Sequence, residues 1–454
     1  MRRRQWMLIP LIIMIVVAGV IFASAPRLED VFPRQGAEWV PAAIQMELTF
    51  SQLMQPGSVE EHLSIDPPRA GAFEWEGKRL VFTPHQDWSR GEVVTIELKA
   101  GARSVHGLPM LRGYNWSFTI APSLLLYLWP ADGPADLHTL DPLSGKTVSL
   151  TNTPLGVLDY AIGDRGMTIF YSASLEDRGS GIYRLDRVSG ETALIFDCPD
   201  TECGSLAPSP GTRWLAFTKA SPMERDDLPL IQVWLLNLSN GESFPVDESG
   251  HLTSIPCWST DGLLAYYDET EKAFMFYDPG GGLVDRLSNQ TGEVGSWSPN
   301  GNDFIVPELV LVSLKDASNR IVGVTLSSHL TRYNLVMNSW VDMTRADNLE
   351  DMNPVFSPNG IYIAFTRKSL DPNSWTPGRQ VWLMRSDGTQ AYPLTANADF
   401  NHSNLTWSSD SRFIAYVRSD QTALTEPLEV WVYDLEQRNA MRLVIGGYEP
   451  QWMP

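Results

Sequence analysis

Hydrophobic and polar residues alternate in short runs along most of the 454-residue chain, and Gly, Pro, Asn or Asp stands between the runs. Segments such as "AIQMELTF", "NWSFTI" and "IYIAFTR" show the two-residue period of a strand with one buried face. Asn-Gly, Asp-Gly and Ser-Gly pairs supply the positive φ that tight hairpins require. This pattern predicts an all-β protein made of short antiparallel strands.

Beyond residue 121, one unit of this pattern recurs. An apolar anchor residue precedes a turn such as "SPNG" or "STDG", and three further strands follow, with a variable loop between the second strand and the third. The anchors stand about 40 to 60 residues apart, which suits a four-stranded blade. They are Tyr160, Ala207, Trp258, Trp297, Phe356, Trp407 and Trp452. Because blades packed around an axis bury both of their faces, residues 122–454 are predicted to form a β-propeller. Seven blades are favoured, with six or eight as alternatives.

The two ends of the repeat region complement each other. The segment "LLLYLWPADGPADLHTLDPLSGKTVSL" has the second, third and fourth strands of a unit, whereas the C-terminal "GYEPQWMP" has only a first strand. Pairing between them would complete one blade and close the ring, which removes its open edges. The bulky anchors are predicted to pack between neighbouring blades, and an aromatic ligand cage is the alternative.

The N-terminal "MRRRQWMLIPLIIMIVVAGVIFASAP" predicts a membrane anchor. Residues 6–25 carry no charge and match the thickness of a bilayer core, while three Arg residues before them should stay in the cytoplasm. Residues 1–26 are therefore predicted to be a cytoplasmic tip and a signal-anchor helix, with the rest of this single-pass protein outside the cytoplasm. Secretion after cleavage at the small-residue "ASA" site is the alternative.

Residues 27–121 form a separate block of short strands with Pro or Gly between them, which predicts a β-sandwich. The segments "VFPRQGAEW", "LTFSQLMQPGSVEEHLSIDPP" and "WSFTI" follow one another in order. On these segments the block resembles the bacterial Ig-like domain of the SbsA N-terminal type. The resemblance implies a spacer or adhesive module without catalytic residues, which would hold the next domain away from the membrane.

The repeats also resemble a known family. At "VFSPNGIYIAF" and "QVWLMRSDGTQAYPLT" they look like TolB-type (WD40-like) β-propeller repeats, and the resemblance extends over about residues 123–454. Two units depart from it: the one at Trp297 carries the insertion "PELVLVSLKDASNRIVGVTLS", and the one at Tyr160 lacks Ser-Pro. TolB-type propellers are often six-bladed, so the expectation of seven rests on the anchors.

Charge and cysteine usage restrict the partners and the compartment. The chain has 34 Lys and Arg against 54 Asp and Glu, a net charge of −20, which repels phosphate backbones and makes nucleic acid an unlikely partner. Outside the cytoplasm, Cys198 and Cys203 could form a small disulfide loop, and two free thiols are the alternative. Cys257 lies in an apolar strand and is predicted to be a buried small hydrophobe.

The long, variable loops between second and third strands are the candidate recognition site. In a meander these loops lie on the same face as the links between blades, and variable loops on a rigid scaffold commonly carry recognition. The segments are "KASPMERDDLPLIQ", "RKSLDPNSWTPGRQ", "RSDQTALTEPLE" and the insertion after Val306. The candidate binding residues are Met223, Arg225, Asp226, Asp227, Arg367, Lys368, Trp375, Arg379 and Arg418.

No motif in the sequence indicates catalysis. The chain has neither a Gly-x-Ser-x-Gly elbow nor a His-Glu-x-x-His pair, and its seven His residues are dispersed. Asp247, Ser249 and His251 share one loop, where residues so close in sequence can rarely adopt triad geometry. We therefore expect no catalytic, metal or cofactor site, and a non-enzymatic scaffold that binds a protein or peptide. The alternative is a carbohydrate-active or metal-dependent hydrolase or lyase using the propeller channel; the oligomeric state stays open.

Overall fold

The computed structural model describes residues 24–176, 179–221, 229–316, 318, 320–345, 348–371 and 374–453. In these residues almost all of the regular secondary structure is β-strand, and the chain divides into two compact units, Met1–Pro122 and Ser123–Pro454. Within the described ranges, no helix is long and apolar enough to cross a membrane. The predicted anchor at residues 6–25 lies outside these ranges except for its last two residues.

The first unit contains two antiparallel sheets and one short helix. The four-stranded sheet has the order β1-β2-β5-β4, and the three-stranded sheet has the order β3-β6-β7. The elements are β1 (Leu28–Phe32), β2 (Met46–Phe50), α1 (Pro56–His62), β3 (Leu63–Asp66), β4 (Gly71–Glu76), β5 (Arg79–Pro84), β6 (Val93–Leu98) and β7 (Tyr114–Thr119). Trp88 lies 6.4 Å from Phe82 of β5 and 6.1 Å from Phe118 of β7, between ring centroids, so its buried ring contacts both sheets.

The described residues of the second unit form seven four-stranded antiparallel sheets, numbered 1 to 7 in chain order. Sheet 1 combines β8 (Leu125–Trp129), β9 (Asp136–Leu140) and β10 (Thr147–Ser149) with the last strand, β35 (Tyr448–Trp452). Sheets 2 to 4 are β11 (Val157–Gly163), β12 (Thr168–Ser174), β13 (Ser180–Asp186) and β14 (Thr192–Cys198); β15 (Cys203–Pro208), β16 (Trp214–Ser221), β17 (Leu230–Asn237) and β18 (Ser243–Pro245); β19 (Thr253–Trp258), β20 (Leu264–Asp268), β21 (Ala273–Asp278) and β22 (Gly282–Ser288).

Sheets 5 to 7 follow the same meander order. They are β23 (Ser296–Trp297), β24 (Asp303–Lys315), β25 (Ile321–Asn334) and β26 (Ser339–Asp342); β27 (Leu349–Phe356), β28 (Tyr362–Ser369), β29 (Gln380–Arg385) and β30 (Tyr392–Pro393); β31 (Phe400–Trp407), β32 (Phe413–Asp420), β33 (Glu429–Asp434) and β34 (Asn439–Ile445). The insertion after Val306, expected to be a loop, instead lengthens β24 and β25 to 13 and 14 residues. Its apolar residues alternate with polar ones at several positions, which favours strand pairing over a loop.

The C-terminal strand pairs with the strand that opens the second unit. In the antiparallel ladder of β35 and β8, Trp452 lies opposite Leu125 and Tyr448 lies opposite Leu128. Trp452 is buried, and its ring stacks on Phe413 of sheet 7 with centroids 5.6 Å apart. Leu125, Trp452 and residues of β32 and β33 thus share one apolar cluster between sheet 7 and sheet 1.

Apolar clusters also lie between most of the other neighbouring sheets, because these sheets carry apolar residues on both faces. Between sheets 4 and 5, Phe276 lies 5.6 Å from Phe304 and 5.4 Å from Trp297, measured between ring centroids. Similar clusters join sheets 2 and 3, 3 and 4, 5 and 6, and 6 and 7. These cores require bulky residues at the same strand positions in every repeat.

Three of the four anchor tryptophans, Trp258, Trp297 and Trp407, donate a hydrogen bond to the backbone of the preceding sheet. Trp258 Nε1 donates to Ala207 O at 2.8 Å, and Trp407 Nε1 donates to Val355 O at 3.1 Å. Two anchors were misplaced. In sheet 6 the anchor Phe356 is paired with Ile363 of the next strand. The residues paired in the same way in sheets 2 and 3 are Ile162, opposite Ile169, and Pro208, opposite Leu215. The true anchors are therefore Ile162 instead of Tyr160 and Pro208 instead of Ala207. The error at Tyr160 arose because its turn lacks the Ser-Pro pair that fixes the alignment.

The Ser-Pro turns owe their recurrence to a hydrogen bond. The buried hydroxyl oxygens of Ser209, Ser298 and Ser357 accept the backbone N–H groups of Trp214, Asp303 and Tyr362 at 2.9 Å. A small hydroxyl side chain therefore closes each turn from inside, where an unpaired backbone N–H would be costly.

Candidate functional site

The long-loop face is the end of the second unit that carries the second-to-third-strand loops and the links between sheets. Strands 1 and 3 of a meander run in the same direction, so both kinds of connection leave at this end. Of the candidate residues, Met223, Arg225, Asp226 and Asp227 lie outside the described residues. Arg367, Lys368, Trp375, Arg379 and Arg418 are described.

Three of these candidates lie in strands rather than in loops. β28 runs to Ser369 and includes Arg367 and Lys368, and β32 runs to Asp420 and includes Arg418. The strands extend further than expected because charged side chains are paired with partners on the adjacent strand. Trp375 and Arg379 lie in the loop between β28 and β29, with Arg379 directly before β29.

Arg367 forms a buried ion pair. Its Nε donates to Asp351 Oδ1 at 2.7 Å and a terminal nitrogen donates to Asp351 Oδ2 at 2.9 Å, in a bidentate arrangement between directly opposite residues of β27 and β28. The guanidinium carbon also lies 4.6 Å from the ring centroid of Trp382. With Asp351 fully buried and Arg367 8% exposed, this pair stabilises sheet 6 and offers little surface to a partner.

Arg418 is held in a comparable way in sheet 7. Its Nε donates to Glu429 Oε2 at 2.8 Å, and its guanidinium carbon lies 3.9 Å from the ring centroid of Phe400 and 4.1 Å from that of Trp431. Burial alone would raise the pKa of Glu429. Hydrogen bonds from Trp431 and Arg442, with the charge of Arg418, outweigh it and lower that pKa. Arg379 likewise pairs with Glu350.

Lys368 and Trp375 form the accessible part of the candidate set. The Trp375 side chain is 55% exposed, and Lys368 Nζ lies 5.0 Å from its ring centroid. The hydroxyl groups of Ser369, at the end of β28, and Ser374, directly before Trp375, are 2.9 Å apart. An exposed indole beside a cation provides the large contact area that protein interfaces use.

A second accessible apolar surface lies on the lengthened strands of sheet 5, in the insertion after Val306 that the sequence predicted to be a recognition loop. Leu311 is 73% exposed and Leu326, directly opposite it in the ladder, is 61% exposed. The apolar run in "LVLVSLK" and the uncharged "IVGVTLSS" were the available signals. These strands are fixed to sheet 6 through Asn348, whose side chain bonds Lys315 N at 3.1 Å and Lys315 O at 3.2 Å.

Two acidic residues occupy equivalent positions on the first strands of sheets 1 and 2. Asp159 Oδ2 accepts Leu206 N at 2.6 Å, and burial raises its pKa. Burial and the nearby charge of Asp159 raise the pKa of Glu449 to about 7. Tyr160 connects the two strands, since its hydroxyl donates to Leu126 O at 3.0 Å and also contacts Glu449 O. No group of three or more His, Cys, Asp or Glu able to hold a metal occurs among the described residues.

Asp247, Ser249 and His251 do not form a Ser-His relay. Ser249 Oγ donates to the Asp247 carboxylate at 2.7 Å, whereas His251 Nδ1 lies 2.8 Å from Asp268 Oδ2. The hydrogen bond to Asp268 raises the pKa of His251. The hydroxyl and the imidazole thus bind different carboxylates.

The structure joins Cys198 and Cys203 in a disulfide with Cα atoms 6.3 Å apart. The bond closes the link between β14 and β15 on the long-loop face. Cys257 is a free thiol packed in the cluster between sheets 4 and 5, and burial raises its pKa to about 12.

Comparison with known proteins finds a family match for the first unit and similar solved structures for most of the chain. The family model described as a bacterial Ig-like domain matches residues 23–120. No curated protein matches the chain. TolB from Acinetobacter baumannii is 14% identical with a TM-score of 0.44, covering 87% of this chain and 83% of that one.

Other similar structures include enzymes. A prolyl endopeptidase is 12% identical with a TM-score of 0.49, covering 70% of this chain and 48% of that one. An oligogalacturonate lyase in complex with manganese is 15% identical with a TM-score of 0.41, covering 63% of this chain and 75% of that one. At these identities the likeness concerns the fold alone. The chain thus carries a bacterial Ig-like domain at residues 23–120, followed by four-stranded sheets similar to those of the β-propeller protein TolB.

Proposed function

We propose that the protein is a membrane-anchored, extracytoplasmic scaffold whose propeller binds a protein partner on the long-loop face. The observation that carries this proposal is the exposed Trp375 with Lys368 beside it, on a loop of a sheet that buried ion pairs hold rigid. A rigid frame with an exposed aromatic anchor reduces the entropy lost on binding.

The scaffold itself is proposed to be a ring of seven blades closed by β35. Support comes from the pairing of Trp452 with Leu125 and from the apolar cluster that both residues share with Phe413 of sheet 7. In such a ring each sheet packs between two neighbours, which buries the faces of the sheets.

The proposed location rests on two independent features. The uncharged stretch at residues 6–25 follows three Arg residues, which suits a single-pass anchor with its N-terminus in the cytoplasm. The Cys198–Cys203 disulfide suits an oxidising compartment outside the cytoplasm. The Ig-like domain would then act as a spacer between membrane and propeller.

Affinity capture from detergent-solubilised native membranes tests the binding role. We expect the wild-type chain to recover a stoichiometric protein partner and the Trp375→Ala, Lys368→Ala double variant to lose it. Trp340→Ala is the matched control, because Trp340 is 68% exposed but lies on β26, the last strand of sheet 5. Equal recovery with all three chains would refute the proposed surface, and recovery of no partner would refute the function.

A carbohydrate-active or metal-dependent enzyme is the second candidate function. Asp159 and Glu449 favour it, because first strands surround the channel of a propeller and two close carboxylates of raised pKa are suited to acid–base chemistry. Release of reducing ends from a polysaccharide panel, with and without divalent cations, tests it. Activity that Asp159→Asn abolishes would favour this function over the scaffold.

A further inference from the structure

We propose that the lengthened strands of sheet 5 bind an extended apolar strand of a basic protein partner by adding it to the open edge of β25. This inference rests on the proposed binding function and names the chemistry of the partner. The surface consists of residues 307–315 of β24 and residues 321–328 of β25, called here the extended hairpin.

One face of the extended hairpin is apolar and exposed. Leu311 is paired with Leu326, and Ser313 is paired with Val324, so all four side chains lie on the same face. Leu311, Leu326 and Val324 are 73%, 61% and 56% exposed. Val312, which points to the other face, is only 4% exposed. The exposed apolar residues are therefore not needed to hold the hairpin on the propeller.

The extended hairpin also leaves a backbone edge open. β26 pairs with β25 only at residues 331–334, and over the described strands residues 321–326 pair with β24 alone. Proteins normally protect such an edge with Lys, Pro, a charged side chain or a covering element. The segment "IVGVTL" has no Lys, no Pro and no charge. An unprotected edge beside an apolar face is the surface that strand addition uses.

The surface is held in place before any partner binds. Ser327 Oγ donates to Leu349 O at 2.6 Å and Ser328 Oγ donates to Asp351 O at 2.8 Å, which fixes the hairpin to β27. The Asn348 side chain binds the backbone of Lys315 at the end of β24. The backbone carbonyl of Asn348 accepts the N–H of Leu370 at 2.7 Å. Leu370 begins the loop that carries Trp375, so the two accessible surfaces are joined through one residue.

Charge indicates which partner fits. The chain carries a net charge of −20, so a second copy is repelled and a basic partner is attracted. The only charged side chains in the extended hairpin are Glu308 and Lys315, and Glu308 already accepts a hydrogen bond from Asn289 at 2.7 Å. The partner strand should therefore be uncharged where it contacts β25 and basic at its flanks.

A designed peptide tests this with the full-length chain in detergent. The probe is a fluorescein-labelled peptide with three Val-Thr repeats between two Lys-Lys ends, and fluorescence anisotropy reports its binding. We expect the Val324→Ser, Leu326→Ser double variant to weaken binding by about tenfold or more, because it removes apolar contact area. Proline at the centre of the peptide should weaken binding similarly, because it removes an N–H and disrupts the strand.

The matched control is Val336→Ser with Met337→Ser. Both side chains are more than 75% exposed, in the turn between β25 and β26 at the opposite end of the same sheet. We expect this variant to bind the peptide as the wild type does, and both double variants to keep the wild-type melting temperature. Absence of peptide binding, or equal binding to both variants, overturns the inference.

Two further measurements test whether a second copy of the chain or lipid, instead of a partner strand, occupies the extended hairpin. A wild-type dimer in light scattering that Val324→Ser and Leu326→Ser abolish would identify a second copy, and vesicles of phosphatidylcholine bound through the same residues would identify lipid. Either outcome overturns the inference. Photo-crosslinking in native membranes from position 375 but not from position 326 would refute the inference and leave the proposed function standing. Crosslinks from neither position would refute both.

Discussion

Removing the Trp452 side chain should destabilise the second unit more than removing any exposed side chain. Trp452 is 6% exposed and contacts Phe413 of sheet 7 while its backbone pairs with Leu125 of sheet 1. Substituting a buried Trp by Ala commonly costs about 3–5 kcal/mol. For about 330 residues the unfolding entropy near 60 °C is roughly 0.7 kcal/mol/K, so Trp452→Ala should lower the melting temperature by about 4–7 °C.

Substitution by Phe separates packing from hydrogen bonding. The Nε1 group of Trp452 is buried without a hydrogen-bond partner among the described residues, whereas Nε1 of Trp407 donates to Val355 O at 3.1 Å. Trp452→Phe therefore loses no hydrogen bond and removes a buried unpaired donor. Trp407→Phe loses one worth about 1 kcal/mol. We expect Trp407→Phe to cost more stability than Trp452→Phe.

Differential scanning calorimetry of the full-length chain measures both effects. Deletion of residues 448–454 should have a larger effect than Trp452→Ala, because it also removes the pairing of β35 with β8. Trp340→Ala, which changes an exposed ring, is the control and should leave the transition unchanged. An unchanged melting temperature for Trp452→Ala or for the deletion would refute the proposed closure.

Three other predictions concern charge and redox state. Because the pKa of Glu449 is raised in the folded chain, this carboxyl contributes stability that is fully present below its ordinary pKa of 4.5 and is lost as the pH rises through about 7. Glu449→Gln should therefore flatten the pH dependence of the free energy of unfolding, measured with denaturant over this range. A pH profile identical to that of the wild type would contradict this prediction. Asp351→Ala should cost about 3–5 kcal/mol in urea unfolding by leaving Arg367 buried and unpaired, while Trp375→Ala should cost almost nothing; equal costs would contradict the separation of structural from accessible candidates. Replacing Cys198 and Cys203 by Ser should cost about 2 kcal/mol in urea unfolding. Mass spectrometry after alkylation should find Cys257 unreactive in the folded chain, because this half-buried thiol packs between sheets 4 and 5 and its pKa is raised; alkylation of native Cys257 would contradict this packing.

Much of the fold follows from local pattern. Alternating residues and Ser-Pro turns predicted the all-β class, and the incomplete repeats at residues 125–149 and 448–452 indicated the pairing that the structure contains. The alignment failed at Tyr160 because that turn lacks Ser-Pro. It failed at the insertion because alternating apolar residues were taken as a loop although they suit a strand.

The candidate site was harder to predict because its charges pair across strands. Arg367 and Asp351 are 16 residues apart in sequence but lie opposite each other in the ladder, and Arg418 with Glu429 repeats this arrangement. The sequence indicates that each Arg lies near a loop. Whether its side chain is buried and paired depends on which residue of the adjacent strand lies opposite it in the ladder. Trp375 remained accessible because it lies in the loop itself.

Photo-crosslinking in living cells tests the binding function most directly. A photoreactive amino acid replaces Trp375 in one full-length chain and Trp340 in another. Trp340 is also exposed but lies on the last strand of sheet 5. The scaffold account predicts a discrete protein adduct from position 375 that is absent from position 340. Adducts of equal yield from both positions, or from neither, would contradict it.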